Sequence, residues 1–304
     1  MEDRVRTILL NSNKYALNKW YDQVKKLGAQ SGEYLDFGGI REHHIRPVAS
    51  EALALAVSLK FGVYDPAVTG VSETEAVAKA VRMTASLAAR HRVNAGDKGW
   101  GHEWQSALWA SFAATAGWLL WDDLTPQDRE LVRRMAVDEA DRLIDYEVPY
   151  YRDANGKVVF KGDSKAEENS WNSTILVIAA AMIPEHPHWK VWYDKSVELQ
   201  LSAYAAPQDL CSKRKINGFR LNEILRGSNV DAYGIVVNHN ILHPDYMTAF
   251  MHNGYNAWIW RLAGLRMPRA TVYNGDLLYR TLALRPVGDG RTMYVRGDKG
   301  EATP

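Results

Sequence analysis

Apolar residues spaced three to four apart recur along almost the whole chain, and this limits the fold to helices packed on helices. The strongest constraint is residues 103–121, whose WQSALWASFAATAGWLLW run is apolar on nearly every side. A helix without a polar face must be covered by other helices. Its length and polar start are wrong for a membrane span.

Ordinary amphipathic patterns flank this segment. Val5, Ile8, Leu9, Leu17, Trp20, Val24 and Leu27 form one stripe, with Gly28 as its stop. A second helix is predicted over residues 47–59, opened by Pro47, and a third from the capping box of Ser72 and Glu75 to residue 91. Thr125, Pro126 and Asp128 open an outer helix with the stripe Val132, Met135, Ala136 and Leu143. Residues 150–168 break the pattern: an Asn155-Gly156 turn and the β-like run from Val158 to Phe160 predict a hairpin or long loop. Helical signals return over residues 168–182, 188–205, 245–262 and 275–284, around an irregular stretch at 207–240. Alternating buried and amphipathic helices predict an all-α fold, an (α/α)n toroid or incomplete barrel of helix pairs, with one short β-like hairpin near 150–165. Residues 1–285 form the expected toroid domain, and the Gly-rich, polar residues 286–304 read as a linker or tail.

Charge and cysteine content exclude several classes. Lys and Arg number 37 against 36 Asp and Glu, so the basic footprint of a nucleic-acid binder is missing. The lone Cys211 permits neither an internal disulfide framework nor a cysteine-rich zinc module. Membrane binding is not expected, and the N-terminus as given carries charges where a signal peptide needs an apolar run. Aromatic usage is more telling, with 11 Trp and 15 Tyr against 6 Phe. Trp and Tyr offer flat faces with a hydrogen-bonding edge, which suits stacking on sugar rings as well as helix interfaces.

Three polar clusters lie where helices begin. Around Gly99 to Ser106, Trp100 and Trp104 offer stacking faces and His102 and Gln105 hydrogen bonds to hydroxyls; the alternative is an N-cap region with structural tryptophans. Around Glu167 to Asn172, Asn169 and Asn172 share a helix face, with Trp171 between them. An amide there can donate to a carboxylate, helped by the helix N-terminus, although Asn169 or Ser170 could simply cap the helix. The third cluster, Asn238-His239-Asn240-Ile241-Leu242-His243-Pro244-Asp245-Tyr246, concentrates imidazoles, amides, a carboxylate and a phenol.

These groups fit β-elimination at an acidic sugar. The reaction removes the proton α to a carboxylate, so an amide must first offset the carboxylate's charge. A His or Tyr takes the proton, and a Tyr can protonate the departing glycosidic oxygen. Asn172 or Asn169, with His239 and Tyr246, are the candidate groups.

The order of an Asn at a Trp-containing helix start (ENSWN) and then a His and Tyr (NHNILHPDY) resembles the toroid-type polysaccharide lyases, the group of chondroitin AC, alginate and heparinase II/III-like lyases. The resemblance spans residues 100–279 in arrangement and short motifs in sequence. It implies that the Asn neutralises a uronate, the His acts as or assists the base, and the Tyr acts as acid or as both. It further implies an acidic polysaccharide or oligosaccharide substrate, for which Trp100, His102, Trp104, Gln105, Trp171, Asn238, His243 and Arg226 are the candidate binding residues, and a catalytic Arg as in some members, for which Arg226, Arg261 and Arg266 are available. A secreted or periplasmic location and a C-terminal β-sandwich domain beyond this chain also follow from it. His243 could replace His239.

Other readings use the same residues. A glycoside hydrolase on an (α/α)6 toroid would need two facing carboxylates among Glu103, Asp122, Asp123, Glu167 and Glu168. A non-catalytic carbohydrate-binding helical domain would keep the aromatic faces without the chemistry. The lyase reading needs no cofactor, but His239, His243 and Asp245 have the spacing of divalent-metal ligands. Pro244 interrupts the helix that would align them.

Overall fold

The computed structural model describes residues 2–283, and the 286–304 segment expected to be a linker or tail lies outside them. Helix is the dominant structure, as the hydrophobic spacing requires, and the described strands form three two-stranded pairs. The chain divides into two compact units, Met1–Arg142 and Leu143–Pro304.

In the first unit, α1 (Glu2–Tyr15) runs directly into a π-helical stretch, Ala16–Val24. It is followed by α2 (Glu42–Lys60), α3 (Pro66–Thr69), α4 (Glu73–Ala89), α5 (Arg92–Ala95), α6 (Ser106–Leu119) and α7 (Pro126–Asp141). The apolar helix α6 is covered by α2, α4 and α7, and within it only Phe112 and Trp118 are partly exposed. Gly117 permits the close approach of α7, because a Cβ there would lie 2.8 Å from Val132 Cγ1. Ser72 caps α4 by accepting from the Glu75 amide at 3.3 Å, and Thr125 caps α7 by accepting from the Asp128 amide at 3.1 Å.

Helix α2 begins five residues before Pro47, where the sequence reading starts it. Proline lacks the N–H that would bond the His43 carbonyl, and that carbonyl instead accepts from Lys25 Nζ at 3.4 Å. The helix therefore tolerates a proline after its first turn.

The second unit contains α8 (Ala166–Met182), α9 (Trp189–Ala203), α10 (Leu221–Ile224), α11 (Pro244–Thr248), α12 (Met251–Leu262) and α13 (Gly275–Ala283). Its strands are β1 (Arg152–Asp153), β2 (Lys215–Ile216), β3 (Phe219–Arg220), β4 (Gly227–Ser228), β5 (Val237–Asn238) and β6 (Ile241–Leu242). Helix α8 is the inner element here, buried without interruption from Asn169 to Ala181 and packed against α9 and α12. Ile175, Leu176, Val177 and Ile178 form its apolar part, each worth about 1.5–3 kcal/mol when fully removed from water. Its polar first half is tied to neighbours: Ser170 Oγ lies 3.2 Å from both Tyr204 Oη and Asn253 Oδ1, and Asn256 Nδ2 donates to Ser173 Oγ at 2.7 Å.

The predicted hairpin near 150–165 is realised differently. Asp153 and Lys157 close the Asn155-Gly156 turn, and Val158 bridges to Arg152, but the strand partner of β1 is the distant β4. The pairing anchors this loop to the stretch that the sequence reads as irregular.

Candidate functional site

The polar clusters take different places in the two units, and each is described within its own. In the first unit, residues 99–106 wrap around Glu139, which is completely buried. Its Oε1 accepts from the His102 amide at 2.8 Å and from Ser106 Oγ at 2.7 Å, and lies 3.3 Å from His91 Nε2. Its Oε2 accepts from Arg142 Nε at 2.5 Å. Burial pushes the Glu139 carboxyl up, but His91, Arg142 and the His102 amide outweigh it and hold the pKa at about 2. Gly101, at φ 125°, leaves room for the imidazole; a Cβ there would sit 2.3 Å from His91 Nε2.

This network explains much of the first cluster. Trp100 is 1% exposed, and its indole N–H donates to the Leu87 carbonyl at 2.9 Å, so it is a core residue and offers no face to a sugar. Gln105 is buried, with its side-chain oxygen 3.4 Å from Arg46 Nη1. The ring of His102 pairs with Asp138 at 2.6 Å. Trp104 is 61% exposed.

In the second unit, β5 and β6 form a hairpin closed by His239 and Asn240, both left-handed at φ 50° and 62°. Positive φ at both central residues is a type I′ turn, for which Asn-Gly is the usual pair. A histidine at the first position is strained by roughly 1 kcal/mol, and strain of this kind is concentrated at working sites. Asn238 holds the turn from below: it is buried, its Oδ1 accepts from the His239 amide at 2.7 Å, and its Nδ2 reaches Asp163 Oδ1 at 3.3 Å. Asn238 is thereby a support for the hairpin.

The exposed His239 ring meets Tyr246 on α11, with Nε2 and Oη 3.1 Å apart. His243, which precedes α11, completes a three-ring group, 4.6 Å from Tyr246 and 5.5 Å from His239 between centroids. Burial, then the negative charges of Glu167, Asp163 and Asp245, push the Tyr246 hydroxyl up to about 12. Tyr246 therefore keeps its proton at neutral pH and is a donor. Among the described residues no three His, Cys, Asp or Glu side chains gather as metal ligands, so His239, His243 and Asp245 do not form such a set.

The expected amides lie inside α8. Asn169 is fully buried, and both hydrogens of its amide are used, toward the Pro149 carbonyl at 3.0 Å and Ser202 Oγ at 3.2 Å. A substrate carboxylate cannot compete for them. Asn172 is 2% exposed with its oxygen buried and unpartnered, and Trp171 is 1% exposed. Arg226 lines a cavity of about 610 Å³ with Tyr146, Tyr150, Lys195 and Glu198, and neither His239 nor Tyr246 is in that lining.

Two residues absent from the sequence reading organise this region. Lys165, just ahead of α8, lies 2.8 Å from Asp163 and 3.4 Å from Glu168. Burial alone would lower its pKa, but those two carboxylates raise it, so the ammonium stays charged. Asn229 is the second: its Oδ1 accepts from the Tyr151 amide at 2.8 Å and the Lys165 amide at 3.2 Å, while its Nδ2 donates to the Ser202 carbonyl at 2.8 Å. The Gly227-Ser228-Asn229 turn signal marks the place in the sequence, but its partners are far along the chain.

No protein-family model, curated protein or solved structure matches the chain. No helix among the described residues is long and apolar enough to cross a membrane.

Proposed function

We propose that this protein is a polysaccharide lyase that cleaves a uronic-acid polymer by β-elimination, with a helix-pair toroid as its scaffold. The observation that carries this reading is the His239–Tyr246 pair, an imidazole borne on a left-handed turn residue and lying 3.1 Å from a phenol that keeps its proton. His239 takes the proton from the carbon α to the uronate. The electrons form the new double bond as the glycosidic C–O bond breaks, and Tyr246 protonates the departing oxygen. The bond between the two rings returns the proton from imidazole to phenol, which restores the pair without a cofactor.

The uronate's charge must be offset for the carbanion to form. Asn169 is excluded by its hydrogen bonds, and Lys165 is a cation tied to the hairpin's support, because Asp163 accepts from both Lys165 Nζ and Asn238 Nδ2. In this reading Lys165 exchanges one of its carboxylate partners for the substrate's.

A second reading draws on the same surroundings. Asp163, Glu167 and Asp245 make the field at Tyr246 negative, which suits a neutral sugar, and a glycoside hydrolase would use two such carboxylates. The products separate the two. Elimination on pectate, alginate or hyaluronan yields an unsaturated sugar that absorbs in the ultraviolet, and Tyr246→Phe should abolish that signal. Reducing ends without new absorbance would favour hydrolysis.

A further inference from the structure

The second unit carries another site, away from the residues of the His239 hairpin and built differently. A cavity of about 480 Å³ is lined by Trp189, Tyr193, Asn217, Trp260, Arg266 and Arg269, with Leu265 and Met267. Leu265 and Met267 also line a neighbouring cavity with Trp258 and Arg261, so the two share a wall. Neither lining contains an acidic residue. Arg261, Arg266 and Arg269 are exposed and make no ion pair among the described residues, in a chain whose overall charge is only +1.

The aromatic wall is preorganised. Trp189 and Tyr193, one turn apart on α9, stack with centroids 5.4 Å apart and planes at 13°. Trp260, buried at 1% exposure, backs this wall edge-on to Tyr193 at 5.9 Å and presents no face to a ligand, and its indole N–H has no acceptor in the structure. Asn217, left-handed at φ 50° in the β2–β3 turn, donates to Tyr193 Oη at 3.0 Å and accepts from the Ala270 amide at 3.0 Å. One side chain thereby fixes the tyrosine to the segment that carries Arg269.

Flat aromatic faces beside arginines that lack carboxylate partners suit a ring that bears an anion. The ring packs on the aromatic surface and the guanidinium forks bind the carboxylate through two parallel hydrogen bonds. We infer that this groove is a separate binding site for an acidic oligosaccharide, holding the polymer at a distance from the bond to be cleaved. The substrate class rests on the proposed lyase function; the site itself rests on the groove.

The test uses the full chain carrying Tyr246→Phe, so that ligand is not consumed, and follows tryptophan fluorescence during titration with galacturonate, mannuronate and hyaluronan tetrasaccharides. At least one should bind, and Arg266→Ala with Arg269→Ala should weaken it about tenfold or more, the scale of a lost charge-assisted pair. Because both arginines are exposed, the double variant should keep its melting temperature; Arg266→Lys, which retains charge without the fork, should fall between. The inference is overturned by unchanged affinity in the double variant, by equal binding of a neutral cello-oligosaccharide, or by no binding of any tetrasaccharide. Arginine-dependent binding without unsaturated product from the wild type would defeat the lyase reading and leave this site standing. Product formation with arginine-independent binding would do the reverse.

Discussion

Replacing Glu139 by Gln tests the view that the first polar cluster holds the fold together. The carboxyl's pKa falls from 4.5 to about 2 on folding. At roughly 1.4 kcal/mol per pH unit, that shift corresponds to about 3 kcal/mol favouring the folded state with the carboxylate ionised. Gln keeps an oxygen for the His102 amide and Ser106 Oγ, but loses the charge that faces Arg142 and His91. Destabilisation of about 3 kcal/mol is therefore expected at neutral pH, the size found when one partner of a buried pair is removed. Because the folded pKa is depressed, this stability is present above pH 4.5 and lost as pH falls toward 2. Urea unfolding followed by tryptophan fluorescence at several pH values would show the wild type converging on the variant as acid is added. A variant within about 0.5 kcal/mol of wild type at neutral pH, the range of an ordinary surface change, would refute the argument.

Further outcomes follow from the second unit. Asn229→Ala removes bonds to the Tyr151 and Lys165 amides and to the Ser202 carbonyl, and should destabilise by about 3 kcal/mol, read as a lower midpoint in urea. His239→Gly relieves a left-handed residue at φ 50°, so it should stabilise by about 0.5–1 kcal/mol while abolishing turnover. A variant both inactive and less stable would indicate a structural role for the imidazole. Raised by burial and by Glu167, Asp163 and Asp245, Tyr246 should ionise near 12, so no loss of kcat on the alkaline side should track an ordinary tyrosine near 10. An alkaline limb near 10 that disappears in Tyr246→Phe would show the phenol to be unshifted.

The helices were legible wherever hydrophobic spacing decides them. The apolar run of α6 announces an inner helix, and Ser72 and Thr125 announce the starts of α4 and α7 through local hydrogen bonds. Pro47 misleads because its favoured position is the first helical residue, whereas here the lost hydrogen bond is replaced from Lys25. The His239–Tyr246 pair was legible because both residues lie in one short segment, joined by a two-residue turn and a short helix. Asn169 was not: its sequence neighbourhood is the same whether its amide faces a ligand or, as found, the Pro149 carbonyl. The roles of Asn229 and Lys165 depend on partners brought in by folding, which local spacing does not encode.

Digestion of a uronic-acid polymer in heavy-oxygen water tests the elimination mechanism most directly. Breaking the glycosidic bond by elimination consumes no water, so mass spectrometry should find one new non-reducing-end double bond for each bond broken and no solvent oxygen taken up in the cleavage. Saturated fragments that gain one water per bond broken, with the solvent oxygen on the new reducing end, would contradict it.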